Sequence, residues 1–169
     1  MQRHWLRPDW DPGLTLAHLP LEPLLGRGIK VLLLDVDRTL LPGKDVVLPP
    51  AIRRWLDDAS RQLHLHLVSN NPSRQRVKAV ADQIGVDFTC AASKPRRRAM
   101  SRIIERLPTP PTQIAMVGDR VFTDVLAGNR LGLFTVLVRP PNAEGFPCPN
   151  DRVQRLERRL ARLLGSAAR

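Results

Sequence analysis

The sequence predicts an α/β fold, a Rossmann-like doubly wound parallel sheet of about five strands. Short apolar runs alternate along the chain with segments of helical periodicity, at the spacing typical of β-α-β units. The run Val31–Leu34 is apolar without polar alternation, which is typical of a strand buried on both faces of a parallel sheet. The 169 residues suffice for one domain with a substantial core.

The first four elements each have a local signal. Strand 1 is predicted over about Lys30–Val36, and Pro49-Pro50 open a helix over Ala51–Arg61 because proline is tolerated in a first helical turn. The alternating run Leu63–Val68 predicts strand 2, and a helix over Ser73–Ile84 ends at Gly85. The later elements are a strand near Val86–Ala91, a basic helix over Pro95–Leu107, a strand over Gln113–Val117, a helix over Val121–Leu131 and a strand over Phe134–Val138.

These elements divide the chain into three parts. Residues 1–28 are predicted to be an arm packed on the core, residues 29–140 the α/β core, and residues 141–169 a loop followed by a basic amphipathic helix. That helix, over Arg152–Leu164, carries one apolar stripe: Val153, Leu156, Leu160, Leu163 and Leu164. Two interpretations of the stripe remain open. It packs on the domain, or the helix rests on an anionic membrane surface together with Trp5 and Trp10 of the arm.

The net charge of +11 favours phosphates, anionic lipid headgroups or nucleic acid as partners. An arginine bias from coding-sequence composition explains this charge equally well. There is no tyrosine and little Phe or Trp, so a stacking platform for single-stranded nucleic acid is poorly supplied. Neither a secretory signal nor a membrane-spanning run is recognisable, and the two cysteines have no C-x-x-C spacing. We therefore expect a cytoplasmic protein, at most peripheral on the inner face of a membrane.

Polar side chains follow three of the predicted strands. Asp35 and Asp37 end strand 1, Ser69-Asn70-Asn71 end strand 2, and Asp119 ends strand 4. In a parallel sheet these carboxyl ends share one edge, and Lys94 is predicted to begin the helix after strand 3 near that edge. Carboxylates, a hydroxyl, amides and one lysine suit Mg²⁺ and a phosphate group.

Four ordered motifs resemble those of the haloacid dehalogenase superfamily of phosphohydrolases. They are Asp35-Val-Asp-Arg-Thr39, Ser69-Asn70-Asn71, Lys94-Pro95 and Gly118-Asp119-Arg-Val-Phe-Thr-Asp124. The short intervals between them leave no room for a large cap domain, which resembles the capless subclass IIIA. The Gly-Ile-Lys lead-in and the Gly-Asp-x-x-x-Thr-Asp-x-x-x-Gly-Asn pattern are most similar to the YqeG-like group, which includes phosphatidylglycerophosphate phosphatases.

The resemblance implies a role for each motif residue. Asp35 would be the nucleophile that forms an aspartyl-phosphate, and Asp37 the general acid and then base. Mg²⁺ would be held by Asp35, the main-chain carbonyl of Asp37, and Asp119. Thr39 would help to fix the loop, whereas Ser69, the Asn70 amide and Lys94 would bind the phosphoryl group. Asp124 would orient these groups rather than bind the ion.

The substrate is less well defined than the reaction. The resemblance and the positive charge favour an anionic phospholipid headgroup, as in phosphatidylglycerophosphate. The alternatives are a soluble sugar phosphate, a nucleic-acid end, or a binding module that keeps the fold without turnover. Arg38, where the nearest relatives usually have asparagine, either contacts substrate or points to solvent, and the same choice holds for Arg96-Arg97-Arg98. The oligomeric state is not predicted.

Overall fold

The computed structural model describes residues 5–149 and 151–166. Residues 1–4 of the predicted arm, and residues 150 and 167–169 of the predicted carboxyl-terminal segment, lie outside the described residues. Within the described part, no helix is both long enough and apolar enough to cross a membrane.

A five-stranded, all-parallel sheet forms the centre of the molecule and confirms the predicted fold class. Its order is β3-β2-β1-β4-β5, and β1 lies between β2 and β4 with Val31 opposite both His64 and Ile114. All four residues of β1 are buried, as its apolar run predicts. The strands are β1 Val31–Leu34, β2 His64–Val68, β3 Asp87–Thr89, β4 Ile114–Gly118 and β5 Phe134–Leu137.

Helices cover both faces of the sheet. Leu32 and Leu34 of β1 pack in one hydrophobic core with the helix over residues 50–60. Val31 and Leu33 pack in a second core, on the other face, with the helices over residues 98–106 and 126–130. This division follows from the period-two alternation of a strand. The helices are α1 Glu22–Gly26, α2 Pro50–Ser60, α3 Arg74–Asp82, α4 Arg98–Arg106, α5 Leu126–Arg130 and α6 Arg152–Ser166.

Two predicted helices begin differently from the expectation. The helix expected over Val121–Leu131 opens with one π-helical turn, Val121–Val125, and continues as α5. The helix expected from Pro95 begins only at Arg98, so Lys94 lies in a loop and not at a helix start. The reason is a contact between two loops: both main-chain polar groups of Lys94 are hydrogen-bonded to the side chain of Asn70, which holds the chain in a loop there.

The described part of the arm packs along the outer edge of β5. The main chain of Trp10 exchanges hydrogen bonds with Thr135 and Leu137, at 3.0 and 2.9 Å, and its ring packs against the core. Asn129 of α5 donates to two carbonyl groups of the arm. The ring of Trp10 is thus partly buried by contacts within the fold, whereas Trp5 is 49% exposed.

Helix α6 contradicts the expectation that its leucine stripe packs on the domain. Val153, Leu156, Leu160 and Leu164 are 41 to 57% exposed. Three polar side chains are buried in their place: Asp151 just before the helix, and Gln154 and Glu157 in its first two turns. Periodicity separates apolar from polar residues around a helix, but it does not determine which face meets the domain.

Candidate active site

The carboxyl ends of the strands bring four predicted site residues together. Asp35 follows β1, Asp119 follows β4, and Lys94 reaches them from the loop after β3. Asp124, in the π-helical turn, joins the same cluster. All four side chains are buried, so a dense group of charges lies at the edge where open α/β sheets place their ligands.

Lys94 is the cation of this cluster. Its Nζ lies 2.6 Å from Asp35 Oδ1 and 2.7 Å from Asp124 Oδ1, and donates to the carbonyl of Val68 at 2.8 Å. Burial by itself would lower the pKa of the Lys94 ammonium, but Asp124 and Asp35 outweigh burial and raise that pKa above its usual value. Lys94 is therefore a permanent positive charge between two carboxylates.

The side chain of Asn70 positions Lys94. Its Nδ2 donates to the carbonyl of Lys94 at 3.0 Å, and its Oδ1 accepts from the amide of Lys94 at 2.7 Å. The sequence analysis assigned a phosphate contact to the Asn70 amide and did not foresee this clamp. The pairing joins two loops far apart in sequence, so its only local signal is the asparagine after a buried strand.

Asp37 lies at the rim of the cluster. Its Oδ2 is 3.4 Å from the hydroxyl of Ser69, which donates to it, while its Oδ1 accepts from Arg76 Nη2 at 2.9 Å and Nε at 3.3 Å. Arg76 also donates to the carbonyls of Gly43 and Lys44. Arg76 thus ties the carboxylate to α3 and to the loop after β1, a contact that the sequence analysis missed because it spans 39 residues.

Asp119 and Asp124 approach each other closely over Gly118. A Cβ at Gly118 would overlap the carboxylate of Asp124, so only glycine leaves room for it. Asp124 Oδ2 accepts from the amide of Arg120 at 3.1 Å, which fixes the turn. Carboxylate oxygens of Asp35, Asp119 and Asp124 all lie within 4.8 Å of one another. Asp124 therefore belongs to the same carboxylate cluster as Asp35 and Asp119.

Burial and mutual repulsion perturb these carboxyls. Burial raises the pKa of Asp35 to about 6, although Lys94 opposes it. Burial, with the neighbouring Asp124 and Asp35, raises the pKa of Asp119 to about 9 against Arg38 and Arg120. Such shifts are typical of functional sites, where charges of one sign are held together.

Arg38, in the loop after β1, bridges Asp119 to the residue just before α6. Its Nε lies 3.3 Å from Asp119 Oδ2, and its Nη2 lies 2.6 Å from Asp151 Oδ1. Its φ of 66° is in the left-handed region, which costs a non-glycine residue about 1 kcal/mol or more. Neither alternative from the sequence analysis describes this arrangement: in the structure Arg38 binds two aspartates of its own chain.

The remaining predicted residues divide into two groups. Thr39 is buried and donates to Asp35 Oδ2 at 3.2 Å, and the hydroxyl of Ser69 accepts from the amide of Asn71 at 3.0 Å. Both therefore line the cluster or its rim. The arginines at 96–98, in contrast, are exposed where α4 begins.

The carboxylate cluster fits a divalent cation. Asp119 Oδ2 is buried and accepts no hydrogen bond within the described residues, since Arg38 Nε, 3.3 Å away, forms only an ion pair with it. Two further carboxylates lie beside it. Mg²⁺ prefers carboxylate oxygens together with water, in octahedral geometry. Asp35, Asp119 and Asp124 supply oxygen ligands of this kind, and the repulsion that raises the pKa of Asp119 is what a cation would relieve.

A pocket of about 280 Å³ opens beside the cluster. Arg38 and Pro42 of the loop after β1 form one wall, and Asp151, Arg152 and Val153 at the start of α6 form another. A group bound there would lie next to the guanidinium that contacts Asp119.

Comparison with known proteins identifies related hydrolases and phosphatases. Residues 91–144 match the model of the HAD-hydrolase-like family. The chain is 30% identical over 155 residues to the Bacillus subtilis (strain 168) protein named "Probable phosphatase YqeG", covering 90% of this chain and 86% of that protein. It is 29% identical over 163 residues to phosphatidylglycerophosphate phosphatase 1, chloroplastic, of Chlamydomonas reinhardtii. That match covers 91% of this chain but 58% of the relative's length.

A solved structure shares the fold. The 3-deoxy-D-manno-octulosonate 8-phosphate phosphatase of Moraxella catarrhalis, crystallised with a magnesium ion, a phosphate ion and KDO, superposes with a TM-score of 0.53 at 13% identity. The match covers 88% of this chain and 93% of that chain. The capless α/β architecture and the YqeG relationship point the same way: the chain belongs to the haloacid dehalogenase superfamily, in its YqeG-like phosphatase group.

Proposed function

We propose that this protein is a Mg²⁺-dependent hydrolase of phosphate monoesters that works through an aspartyl-phosphate on Asp35. Its favoured substrate in this proposal is phosphatidylglycerophosphate, which would place it in phospholipid biosynthesis. The observation that carries the chemistry is the ion pair between Asp35 and Lys94, at 2.6 Å inside a cluster of three carboxylates.

The first half-reaction uses both aspartates of the catalytic loop. A carboxylate oxygen of Asp35 forms a bond to phosphorus as the bond between phosphorus and the alcohol oxygen breaks. Asp37, at the more exposed rim, delivers its proton to the departing oxygen. The contacts of Asp35 with Lys94 and Thr39 limit the orientations that its carboxylate can adopt.

In the second half-reaction Asp37 takes a proton from water as the water oxygen attacks phosphorus. The bond between phosphorus and Asp35 then breaks, and inorganic phosphate leaves. Arg76 supports this step because two of its N–H groups donate to Asp37 Oδ1 and so fix the orientation of that carboxyl group. The Ser69 hydroxyl, 3.4 Å from Asp37, is placed to meet a phosphoryl oxygen.

The cation would be held by Asp35, Asp119 and the main chain of Asp37, with Asp124 as a further carboxylate in reach. When bound, Mg²⁺ supplies charge neutralisation between the anionic nucleophile and the anionic phosphate. The chain's own positive charge at this point comes from Lys94, which stays protonated.

The substrate proposal is supported by the relatives and by the surface. One relative is named a phosphatidylglycerophosphate phosphatase, and the net charge of +11 favours an anionic substrate surface. Peripheral contact with the inner face of a membrane, from a cytoplasmic location, belongs to the same proposal. A soluble sugar phosphate and a phosphorylated nucleic-acid end are the competing substrates that the experiment must separate.

The chemistry is tested by Asp35→Asn, which keeps the size of the side chain but removes the nucleophile. We expect phosphate release in the presence of Mg²⁺ to fall by at least about 10³-fold. Asp57→Asn on the exposed side of α2 is the matched control and keeps the wild-type rate. Turnover by Asp35→Asn near the wild-type rate would refute the aspartyl-phosphate.

The substrate is tested by comparing three classes at equal phosphate concentration. They are vesicles containing phosphatidylglycerophosphate, a panel of soluble sugar phosphates and 5′-phosphorylated DNA. We expect the highest kcat/KM on the vesicles. A clear preference for either other class would replace the substrate while leaving the reaction intact, and the absence of Mg²⁺-dependent phosphate release from all three would favour a binding module.

A further inference from the structure

The outer surface of α6 is an amphipathic face that the fold does not use. Its leucine stripe, defined here as Val153, Leu156, Leu160 and Leu164, recurs at spacings of three and four residues and is 41 to 57% exposed. An arginine stripe of four exposed residues runs beside it along the helix: Arg152, Arg155, Arg159 and Arg162. The helix therefore has an apolar strip bordered by positive charge, both facing away from the core.

The domain holds α6 by its third, polar face. The Nε2 of Gln154 donates to the carbonyls of Asp119 and Val138, at 2.7 and 2.8 Å. Glu157 accepts from Arg120 Nε at 2.7 Å and from the amide of Val121 at 2.9 Å. Because these buried contacts fix the rotation of the helix, the leucine stripe cannot turn inward without breaking them.

The chemistry of the two exposed stripes indicates which kind of partner can bind this face of α6. A helix that pairs a leucine stripe with a basic stripe can insert its leucines shallowly into a bilayer while its arginines meet anionic headgroups. A second copy of this helix would bring two arginine stripes together, and like charges repel. A nucleic-acid backbone would use the arginines but leave the leucines in water. An anionic lipid surface satisfies both stripes.

The docking face also leads into the active site. Val153, the first member of the leucine stripe, and Arg152 line the pocket that Arg38 shares. Arg38 in turn contacts Asp119 at 3.3 Å. A headgroup lying at this end of α6 is therefore beside the carboxylate cluster.

We propose that the leucine and arginine stripes of α6 form a docking surface for anionic bilayers, which presents lipid headgroups to the pocket beside Arg38. The docking stands on the helix alone, whereas the delivery of a headgroup rests on the proposed function. This assigns membrane contact to a defined helix face and separates it from Trp10, which the core uses.

Docking is tested with the full chain and phosphatidylcholine vesicles, with and without phosphatidylglycerol. We expect co-sedimentation with the anionic vesicles only, weakening as salt rises. Leu156→Gln together with Leu160→Gln should weaken binding by about tenfold or more, since both side chains lose their apolar insertion. Thermal unfolding of this variant should match the wild type, because neither side chain is buried.

The contribution of charge is tested with a matched pair. Arg159→Gln with Arg162→Gln should weaken vesicle binding roughly thirtyfold, as expected for two arginines near the membrane surface. Arg53→Gln with Arg54→Gln removes the same charge from the exposed side of α2 and should change binding by less than about twofold. Equal losses from both pairs would overturn the assignment to α6.

Two further outcomes would also overturn the docking proposal. One is vesicle binding by Leu156→Gln with Leu160→Gln at the wild-type level. The other is a wild-type dimer in sedimentation that this variant converts to a monomer, without any vesicle binding, which would identify a second copy as the occupant.

Hydrolysis of soluble p-nitrophenyl phosphate separates this proposal from the proposed function. If the wild type hydrolyses this ester but the α6 variants bind vesicles as well as the wild type does, the docking proposal is refuted and the proposed phosphatase activity is supported. If α6-dependent vesicle binding is found but no monoester is hydrolysed, docking stands and the proposed function fails. If both stand, the leucine variant should lose activity on lipid vesicles and not on the soluble ester.

Discussion

Helices α2 and α6 are both amphipathic, but they attach to the domain by opposite kinds of face. Helix α2 buries Ile52, Trp55 and Leu56 and leaves its charged side in water. Helix α6 buries Gln154 and Glu157 and leaves its leucines in water. The difference shows that the apolar stripe of a helix does not always face the core, because buried polar groups of the domain can bind the polar face instead. At α6 these groups are the carbonyls of Asp119 and Val138, which bind Gln154, and the amide of Val121 and side chain of Arg120, which bind Glu157.

The difference between the two helices is tested most directly by replacing one leucine with alanine in each of them. Leu56→Ala in α2 should lower the free energy of unfolding by about 2 to 5 kcal/mol, because Leu56 is fully buried and its loss leaves a cavity. Leu156→Ala in α6 should change it by no more than about 0.5 kcal/mol, because the side chain is 57% exposed. Denaturant titration measures both, and equal losses would mean that the leucine stripe packs after all.

The polar attachment of α6 is tested by Gln154→Leu, which keeps the volume but removes the amide. The carbonyls of Asp119 and Val138 would lose their donor, and we expect a loss of roughly 1 to 3 kcal/mol in unfolding free energy. Gln62→Leu is the control, since it changes the same residue type at an exposed position. If Gln154→Leu were as stable as the wild type, polar contacts would not be what holds α6.

The pH dependence of stability sharpens the comparison, because α6 joins the sheet at Asp119. With a chelator present, Asp119 titrates at about 9 in the folded chain and near 3.8 in the unfolded chain. Between these values the folded chain keeps a proton that the unfolded chain has lost, so stability falls as pH rises, by at most about 1.4 kcal/mol per pH unit. Asp35 adds to this fall between 3.8 and about 6.

Thermal unfolding between pH 6 and pH 9 measures this slope. Asp119→Asn should flatten it, because the side chain no longer titrates. Mg²⁺ should raise the unfolding temperature more at pH 9 than at pH 6, because at the higher pH less of the Asp119 carboxyl must lose a proton before it can bind the ion. A stability that rises with pH in the wild type without Mg²⁺ would contradict the raised pKa.

Most of the sheet was predictable because its signals are local. Four of the five strands have an apolar or alternating run of their own, β3 being the exception. The polar residues that follow such runs meet at one edge of a parallel sheet. The convergence of Asp35 and Asp119 follows from topology alone, because they follow the neighbouring strands β1 and β4. It needs no knowledge of side-chain contacts.

The parts that escaped prediction depend on pairs distant in sequence. Arg76 reaches Asp37 across 39 residues, and Gln154 reaches the carbonyl of Asp119 across 35. Neither residue type carries a signal for such a contact. The late start of α4 has the same origin, since it follows from the clamp between Asn70 and Lys94 and not from any local helix propensity.

The contacts of Lys94 imply that binding of the cation and binding of the phosphate group affect each other. The Lys94 ammonium donates to Asp35 and to the carbonyl of Val68, and Asp124 Oδ1 lies 2.7 Å away as an ion-pair partner. A phosphoryl oxygen therefore competes with three neighbouring acceptors for this ammonium. A cation that draws Asp35 or Asp124 away frees a donor for the phosphate, so the two ligands should bind with positive and reciprocal cooperativity.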